Sequence, residues 1–390
     1  MQKIFRVDNF FPAVLALIFI ALCISILPSE APYDSGDGLR HYLISRYSWK
    51  HPELFLDLWG KPVFTLLSSP FAQFGFTGMK LFQLSCACFT VWLAYRIAIK
   101  FQIKNAWLAP VFICLAPIYF LLLNSGLTEL LFGCLLLLSV FLIVSGNYYW
   151  SAFIFSFLPY ARPEALFIAP CFIFYFLLRK KYSSILLLGS GTVVLAIAAS
   201  MVSGDVFWIF HNIPYRVNDK SYGDIHGDLF HYINNYDYIL GFPLSVLLIC
   251  GIIGMAIKIS KNNNGGNSLL KEELLLVFGS FFSILIIHSF VWYKGISPTL
   301  GLFRHMANLI PLAALICLRG FDFITNGIRY RIIKAIASLL IIFLVVRTTM
   351  QQWYLPFRLG PEELVVSAAS KYVNEKSPPK IIYLHPFLPY

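Results

Sequence analysis

Tyr33-Asp34-Ser35-Gly36-Asp37-Gly38-Leu39-Arg40-His41-Tyr42 follows the first long apolar run, residues 9–28. Two carboxylates stand in that stretch, in a chain with only 19 Asp and Glu among 390 residues. The apolar run is long enough to cross the ~30 Å hydrocarbon core of a bilayer. The acids therefore lie in the first loop beyond it. The same composition continues along the chain, which is 58% hydrophobic and 13% charged. A soluble domain carries about 25% charged residues. Mean hydropathy is +0.73. The short alternating segments that a closed barrel needs are absent. The sequence predicts an all-α fold, a polytopic transmembrane helical bundle.

Eleven spans are expected, over residues 9–28, 77–98, 106–123, 127–145, 150–160, 164–178, 184–203, 238–257, 272–291, 303–318 and 332–348. Residues 9–28 are too long for a signal-peptide core, and no small-residue cleavage site follows, so the first helix is retained. With the N-terminus inside, the cytoplasmic connections carry Arg96, Lys100 and Lys104; Arg179, Lys180 and Lys181; Lys258, Lys261 and Lys271; and Arg319, Arg329, Arg331 and Lys334. This positive-inside pattern accounts for the net charge of +11 without nucleic acid. Segments 150–160 and 164–178 are short and meet at Arg162-Pro163-Glu164. Broken helices at membrane depth survive where they line a polar cavity, so a deep external cleft is expected there.

The opposite, external face then receives four polar groups: Asp34 and Asp37 with Arg40 and His41; Trp59-Gly60-Lys61-Pro62; Glu129 with Arg162 and Glu164; and Lys294 with Arg304 and His305. Ionisable residues within membrane spans are candidates for function. The acids could deprotonate a hydroxyl nucleophile, and the cations could hold an anionic phosphate leaving group. Each residue also has a plainer reading. Asp37 could cap a helix beginning at Gly38, since Leu39, Tyr42, Leu43 and Tyr47 have helical spacing. Arg40, Lys61, Arg304 and His305 could snorkel to the interface. Glu129 and Arg162 could form a structural pair. Tyr47, Trp49 and Trp59 fit an interfacial aromatic belt. The eight cysteines all fall in apolar stretches without metal-ligand spacing and read as buried thiols. His211, His226 and His231 show no zinc spacing.

The order of these motifs resembles the GT-C superfamily of polyprenyl-phosphate-dependent glycosyltransferases, which includes protein O-mannosyltransferases and lipid A aminoarabinose transferases. That group carries an acidic motif in the first external loop, usually a pair of acids followed by a short amphipathic helix. Asp37-Gly38-Leu39-Arg40-His41-Tyr42 occupies that place, with Gly38 where the second acid is usual. Lys61-Pro62 matches the family's Lys-Pro or His-Pro pair, Arg162-Pro163-Glu164 its Arg-Pro-Glu element, and Arg304-His305 with Pro311 its late Arg before an apolar helix. The resemblance covers roughly residues 9–320. It implies Asp37 as catalytic base with Asp34 beside it, and Lys61, Arg162 and Arg304 as ligands of the donor phosphate. Arg40, His41, Glu129, Glu164, Lys294, His305 and Tyr222 are the substrate-binding candidates. It further implies a polyprenyl-phosphate sugar donor, an inverting transfer to a glycan, lipid or protein hydroxyl, and a place in the plasma (inner) membrane with the site on its extracytoplasmic face. A divalent metal is compatible with the acids, and no other cofactor is indicated.

Residues 1–348 form the expected catalytic domain, including external loops 29–76 and 204–237; residues 349–390 form an external tail. Loop 204–237 is aromatic and glycine-rich, suited to a lid or to an ordinary long connection. In the tail, Pro361–Asn374 has the pattern of an amphipathic helix and Lys380-Ile381-Ile382-Tyr383-Leu384 that of a strand. A lone strand is unstable, so it either pairs with loop 204–237 or begins a larger α/β domain. Two other functions fit the same composition: a lipid or glycan transporter or flippase, and a non-catalytic membrane assembly protein. A transporter should place its charges near the midplane with access from both sides. Here they gather toward one face.

Overall fold

Apolar runs of this length in a bilayer must satisfy every backbone group within the segment, and helices do so. In the computed structural model, which describes residues 7–212, 225–261, 268–296, 300–352, 358–359 and 361–376, every regular element is helical. All eleven expected segments contain helix. Six helical stretches are long and apolar enough to span: Gly75–Lys100, Tyr182–Ser203, Phe242–Lys261, Leu269–Lys294, Phe303–Thr325 and Arg331–Gln352. Phe11–Ile26, Glu129–Val144 and Ala165–Leu178 are apolar but shorter.

The chain begins with α1 (Val7–Ile26) and enters the first loop. That loop holds two short helices, α2 (Asp37–Tyr47) and α3 (Pro62–Ala72), before α4 (Gly75–Lys100). Ser45 and Ser68 hydrogen-bond at 2.7 Å between α2 and α3, and Ile44 packs on Gly60 where a side chain would collide. The expected continuous span 106–123 is instead two helices, α5 (Ala109–Cys114) and α6 (Pro117–Leu122). Pro117 forces the break: Ala116 before it is extended, with ψ 129°, and the ring starts the next helix at its first turn. Next come α7 (Glu129–Val144), α8 (Tyr148–Phe155) and α9 (Ala165–Leu178), so the 150–178 region is two short helices around a turn, as expected.

Then follow α10 (Tyr182–Leu187), α11 (Ser190–Ser203), and the single turns α12 (Trp208–His211), α13 (His231–Asn234) and α14 (Tyr236–Ile239). The long helix α15 (Phe242–Lys261) leads to α16 (Ser268–Glu272), a π-helical turn over Glu273–Gly279, and α17 (Ser280–Lys294). After a 3₁₀ segment, Phe303–Leu309, come α18 (Ile310–Thr325), α19 (Arg331–Gln352) and the tail helix α20 (Pro361–Lys376). The expected strand 380–384 lies outside the described residues.

Helices α15 and α18 pack almost backbone to backbone. A Cβ on Gly251 would stand 2.1 Å from Ile316 O, and one on Gly320 2.0 Å from Leu247 O. Small residues permit this closeness, which membrane helices use because lipid supplies no hydrophobic drive between them. The polar residues gather at the two ends of the bundle. At one end Glu272 accepts from Arg179 at 2.6 Å and from Tyr175 at 2.9 Å, and Glu273 accepts two bonds of 2.8 Å from Arg319. These basic residues lie at the ends expected to be cytoplasmic. Asp34, Asp37, Glu129, Arg162 and Arg304 meet at the opposite ends of the same helices. The all-apolar midsection of α7, with Phe132 and Leu136 fully buried, lies between.

Candidate functional site

The first turn of α2 sets the site. Asp34 Oδ1 accepts the Gly38 N–H at 2.8 Å. The helix starts at Asp37, one residue earlier than expected, and Asp34 supplies the side-chain cap instead of Asp37. The expected capping role of Asp37 is therefore corrected: Asp37 is the first helical residue rather than the N-cap, and its carboxylate pairs with Arg304. Asp37 remains 47% exposed in its side chain. Both acids converge on one guanidinium, with Arg304 Nη1 on Asp34 Oδ2 and Arg304 Nη2 on Asp37 Oδ2. The Arg304 Nε–H is buried and has no partner among the described residues.

Helix α2 is pinned by the loop before α7. Tyr33 N donates to Asn124 O at 2.8 Å and Asn124 Nδ2 donates to Ala31 O at 2.8 Å. A Cβ on Gly126 would lie 2.0 Å from Gly38 O, and one on Gly38 would lie 3.2 Å from Gly126 N. This close backbone approach explains the small residue at both positions.

Arg162 sits at the break between α8 and α9, 8% exposed. Its Nε donates to Glu164 Oε1 at 2.9 Å and its Nη2 to the same oxygen at 2.6 Å. Nη1 lies 2.7 Å from Glu129 Oε1 and 3.1 Å from Thr128 Oγ1, and Nη2 lies 2.9 Å from His305 Nδ1. Five contacts match the five N–H groups of a guanidinium. Glu129 and Glu164 are 1% and 6% exposed, so this is a buried ion-pair cluster.

Lys61 ends the first loop with φ 62° and ψ 92°, directly before Pro62 at the start of α3. A positive φ on a non-glycine residue costs about 1–3 kcal/mol and is concentrated at functional sites. Its ammonium is 3.5 Å from Leu58 O, and the residue is 6% exposed. Burial first, then the nearby Arg162 charge, brings its pKa down to about 8. His41 is buried against Trp59, with ring centroids 4.7 Å apart. Burial and the positive charges of Lys61, Arg162 and Arg304 hold its pKa well below the usual histidine value, so it is neutral. The three cations thus all lie close to one buried ring. Arg40 lies over the Trp59 indole at 4.3 Å. Trp59 is thus part of the site scaffold, whereas Tyr47 and Trp49, 45% and 62% exposed, fit the expected belt.

Beside this cluster runs an apolar groove of about 450 Å³ between α14, α15, α17 and the start of α18, lined by Tyr232, Tyr236, Ile252, Phe281, Met306 and Ile310 among others. Phe242 and Ile249, 60% and 57% exposed, are among its lining residues. At its inner end Tyr232 meets the His288 ring edge-on at 6.3 Å. His288 stacks on His305 at 5.3 Å, with its Nε2 3.5 Å from Glu164 Oε1.

No family model matches the sequence, and no curated protein matches it. The architecture does match a solved structure: ArnT from Cupriavidus metallidurans bound to undecaprenyl phosphate, at TM-score 0.58 and 10% sequence identity, over 85% of this chain. The fold is ArnT-like. The chain spans 62% of the length of the ArnT chain.

Within this ArnT-like membrane fold, the expected residues do not all meet. Asp34, Asp37, Lys61, Glu129, Arg162, Glu164, Arg304, His305 and His41 come together at one end of the bundle. Lys294 is exposed at the end of α17, with its ammonium over Tyr293 at 5.1 Å. Tyr222 lies outside the described residues. Among the described residues no group of three or more His, Cys, Asp or Glu is placed to share a metal ion. His288, Thr128 and Tyr232 were not expected. His288 carried a readable signal, an ionisable residue inside an apolar helix. Thr128 and Tyr232 carried none, being ordinary residues until the chain folds.

Proposed function

We propose that this protein is a membrane glycosyltransferase that moves a sugar from a polyprenyl-phosphate donor to a hydroxyl acceptor, with inversion, at the extracytoplasmic face of the plasma membrane. One observation carries the reading. A half-exposed carboxylate, Asp37, pairs with the cation Arg304, and an apolar groove begins two residues further along the chain, at Met306. The groove suits an isoprenoid tail entering from the bilayer, and the ArnT structure is itself bound to undecaprenyl phosphate.

The chemistry follows from charge. The acceptor oxygen attacks the anomeric carbon while the bond to the phosphate oxygen breaks, and that electron pair leaves with the phosphate. Asp37 takes the acceptor proton. The donor, a phosphodiester monoanion, leaves as a monoester dianion. Arg304 and Lys61 offset the added negative charge, and buried donors do this more strongly than hydrated ones. Arg162 holds Glu129, Glu164 and His305 in place around them. A transporter would need polar groups through the midplane. The apolar midsection of α7 favours the enzyme.

The test is sugar transfer in proteoliposomes containing polyprenyl-phosphate sugars. Asp37→Asn keeps the fold, because Asp34 supplies the cap, and should lower turnover by about 10²–10⁴-fold, the usual loss of a general base. A folded Asp37→Asn protein with wild-type turnover removes the base assignment.

A further inference from the structure

Resting on that reading, we infer that Arg304 withholds Asp37 until donor phosphate arrives, so that donor recognition and release of the base are one event. The geometry is specific. A guanidinium grips an oxyanion best through two N–H groups on one edge. Arg304 Nη1 is held by Asp34 and Nη2 by Asp37, while Nε–H is buried without a partner among the described residues. The Nε end of the Nε/Nη2 edge is therefore open among the described residues, and Asp37 holds Nη2 at the other end. A phosphate that takes this edge satisfies Nε and displaces Asp37 from Nη2. Asp34 keeps Nη1, and its other oxygen remains on Gly38 N, so the arginine stays tethered to α2 throughout.

The two acids differ in the way this exchange requires. The Asp34 side chain is 20% exposed and holds two partners, whereas that of Asp37 is 47% exposed. Once released, Asp37 is rehydrated at modest cost, while Asp34 cannot leave without uncapping the helix. While Arg304 Nη2 holds Asp37 Oδ2, that oxygen is turned to the guanidinium rather than to an acceptor hydroxyl. The empty enzyme thus holds its base on Arg304, and an acceptor arriving first meets a carboxylate already engaged. The order is donor first, acceptor second.

Competition between Asp37 and phosphate for one edge makes a counter-intuitive forecast. Binding of undecaprenyl phosphate to the full-length protein in detergent should be measured for wild type, Asp37→Asn, Arg304→Gln and the double variant. Removing the competing charge in Asp37→Asn should tighten binding about tenfold, the worth of one charge-assisted hydrogen bond. In the Arg304→Gln background the same change should give no gain, since the edge is gone. Retained melting temperature in Asp37→Asn confirms that the fold is intact. Asp37→Asn binding no tighter than wild type overturns the inference alone. A gain that persists without Arg304 also overturns it, because general charge removal would then explain the effect. Wild type that fails to bind undecaprenyl phosphate overturns the donor reading and this inference together.

Discussion

Replacing Arg162 with Gln separates a buried strut from a substrate ligand. The structure commits its N–H groups to Glu164, Glu129, Thr128 and His305. Glu129 and Glu164 are almost wholly buried, and the second oxygen of each, Oε2, already has no hydrogen-bond partner among the described residues. Removing the guanidinium leaves two buried carboxylates without their counter-charge. Removing one partner of a buried pair costs about 3–5 kcal/mol, because the remaining charge is stranded rather than because the pair was strong. Two acids lose their partner at once here, so the upper end of that range is expected. The assay is thermal unfolding in detergent alongside undecaprenyl phosphate binding. Arg162→Gln should lower the melting temperature clearly, and Arg162→Gln combined with Glu129→Gln should recover part of the loss by removing one stranded charge. An Arg162→Gln protein of wild-type stability with greatly weakened donor binding would refute the strut argument. Arg162 would then hold the phosphate directly, as the family resemblance implies.

Lys61 sets a pH dependence. Its folded pKa of about 8 lies below the usual 10.5, so between these values the unfolded chain binds a proton that the folded protein does not. Stability therefore rises with pH across that window, by about 3 kcal/mol at 1.36 kcal/mol per pH unit. Donor affinity moves the other way. It should fall as pH rises through 8, and an identical pH profile in Lys61→Gln would discard Lys61 as a phosphate ligand. Gly126→Ala places a Cβ 2.0 Å from the Gly38 carbonyl. Backbone cannot move aside as a flexible side chain can, so the loss should reach the upper end of about 1–3 kcal/mol for overpacking. It should also lower transfer by shifting Asp37. Full activity in Gly126→Ala would show that α2 tolerates displacement.

The sequence by itself determined that this is a multi-span helical membrane protein. Bilayer thickness fixes the length of an apolar segment, and the absence of water fixes its backbone as helix; neither depends on tertiary contacts. It also determined which end of each helix carries the basic residues. Arg179, Lys258 and Arg319 indeed meet at one end of the bundle, around Glu272 and Glu273. Asp37, Lys61, Arg162 and Arg304 were legible as candidates because charge is scarce in such a chain.

Their division of labour was not legible. That Asp34 rather than Asp37 caps α2 depends on a difference of three residues in where the chain turns. That Arg162 is fully engaged depends on Glu129, Thr128 and His305, which are distant in sequence and arrive on separate elements. His288 stood out as an ionisable residue in an apolar helix, but its partner His305 appears only when α17 packs against the 3₁₀ segment before α18. Pattern and composition report what each segment can bury. Which hydrogen-bond donors remain for a substrate is decided only when several segments meet and share out their partners.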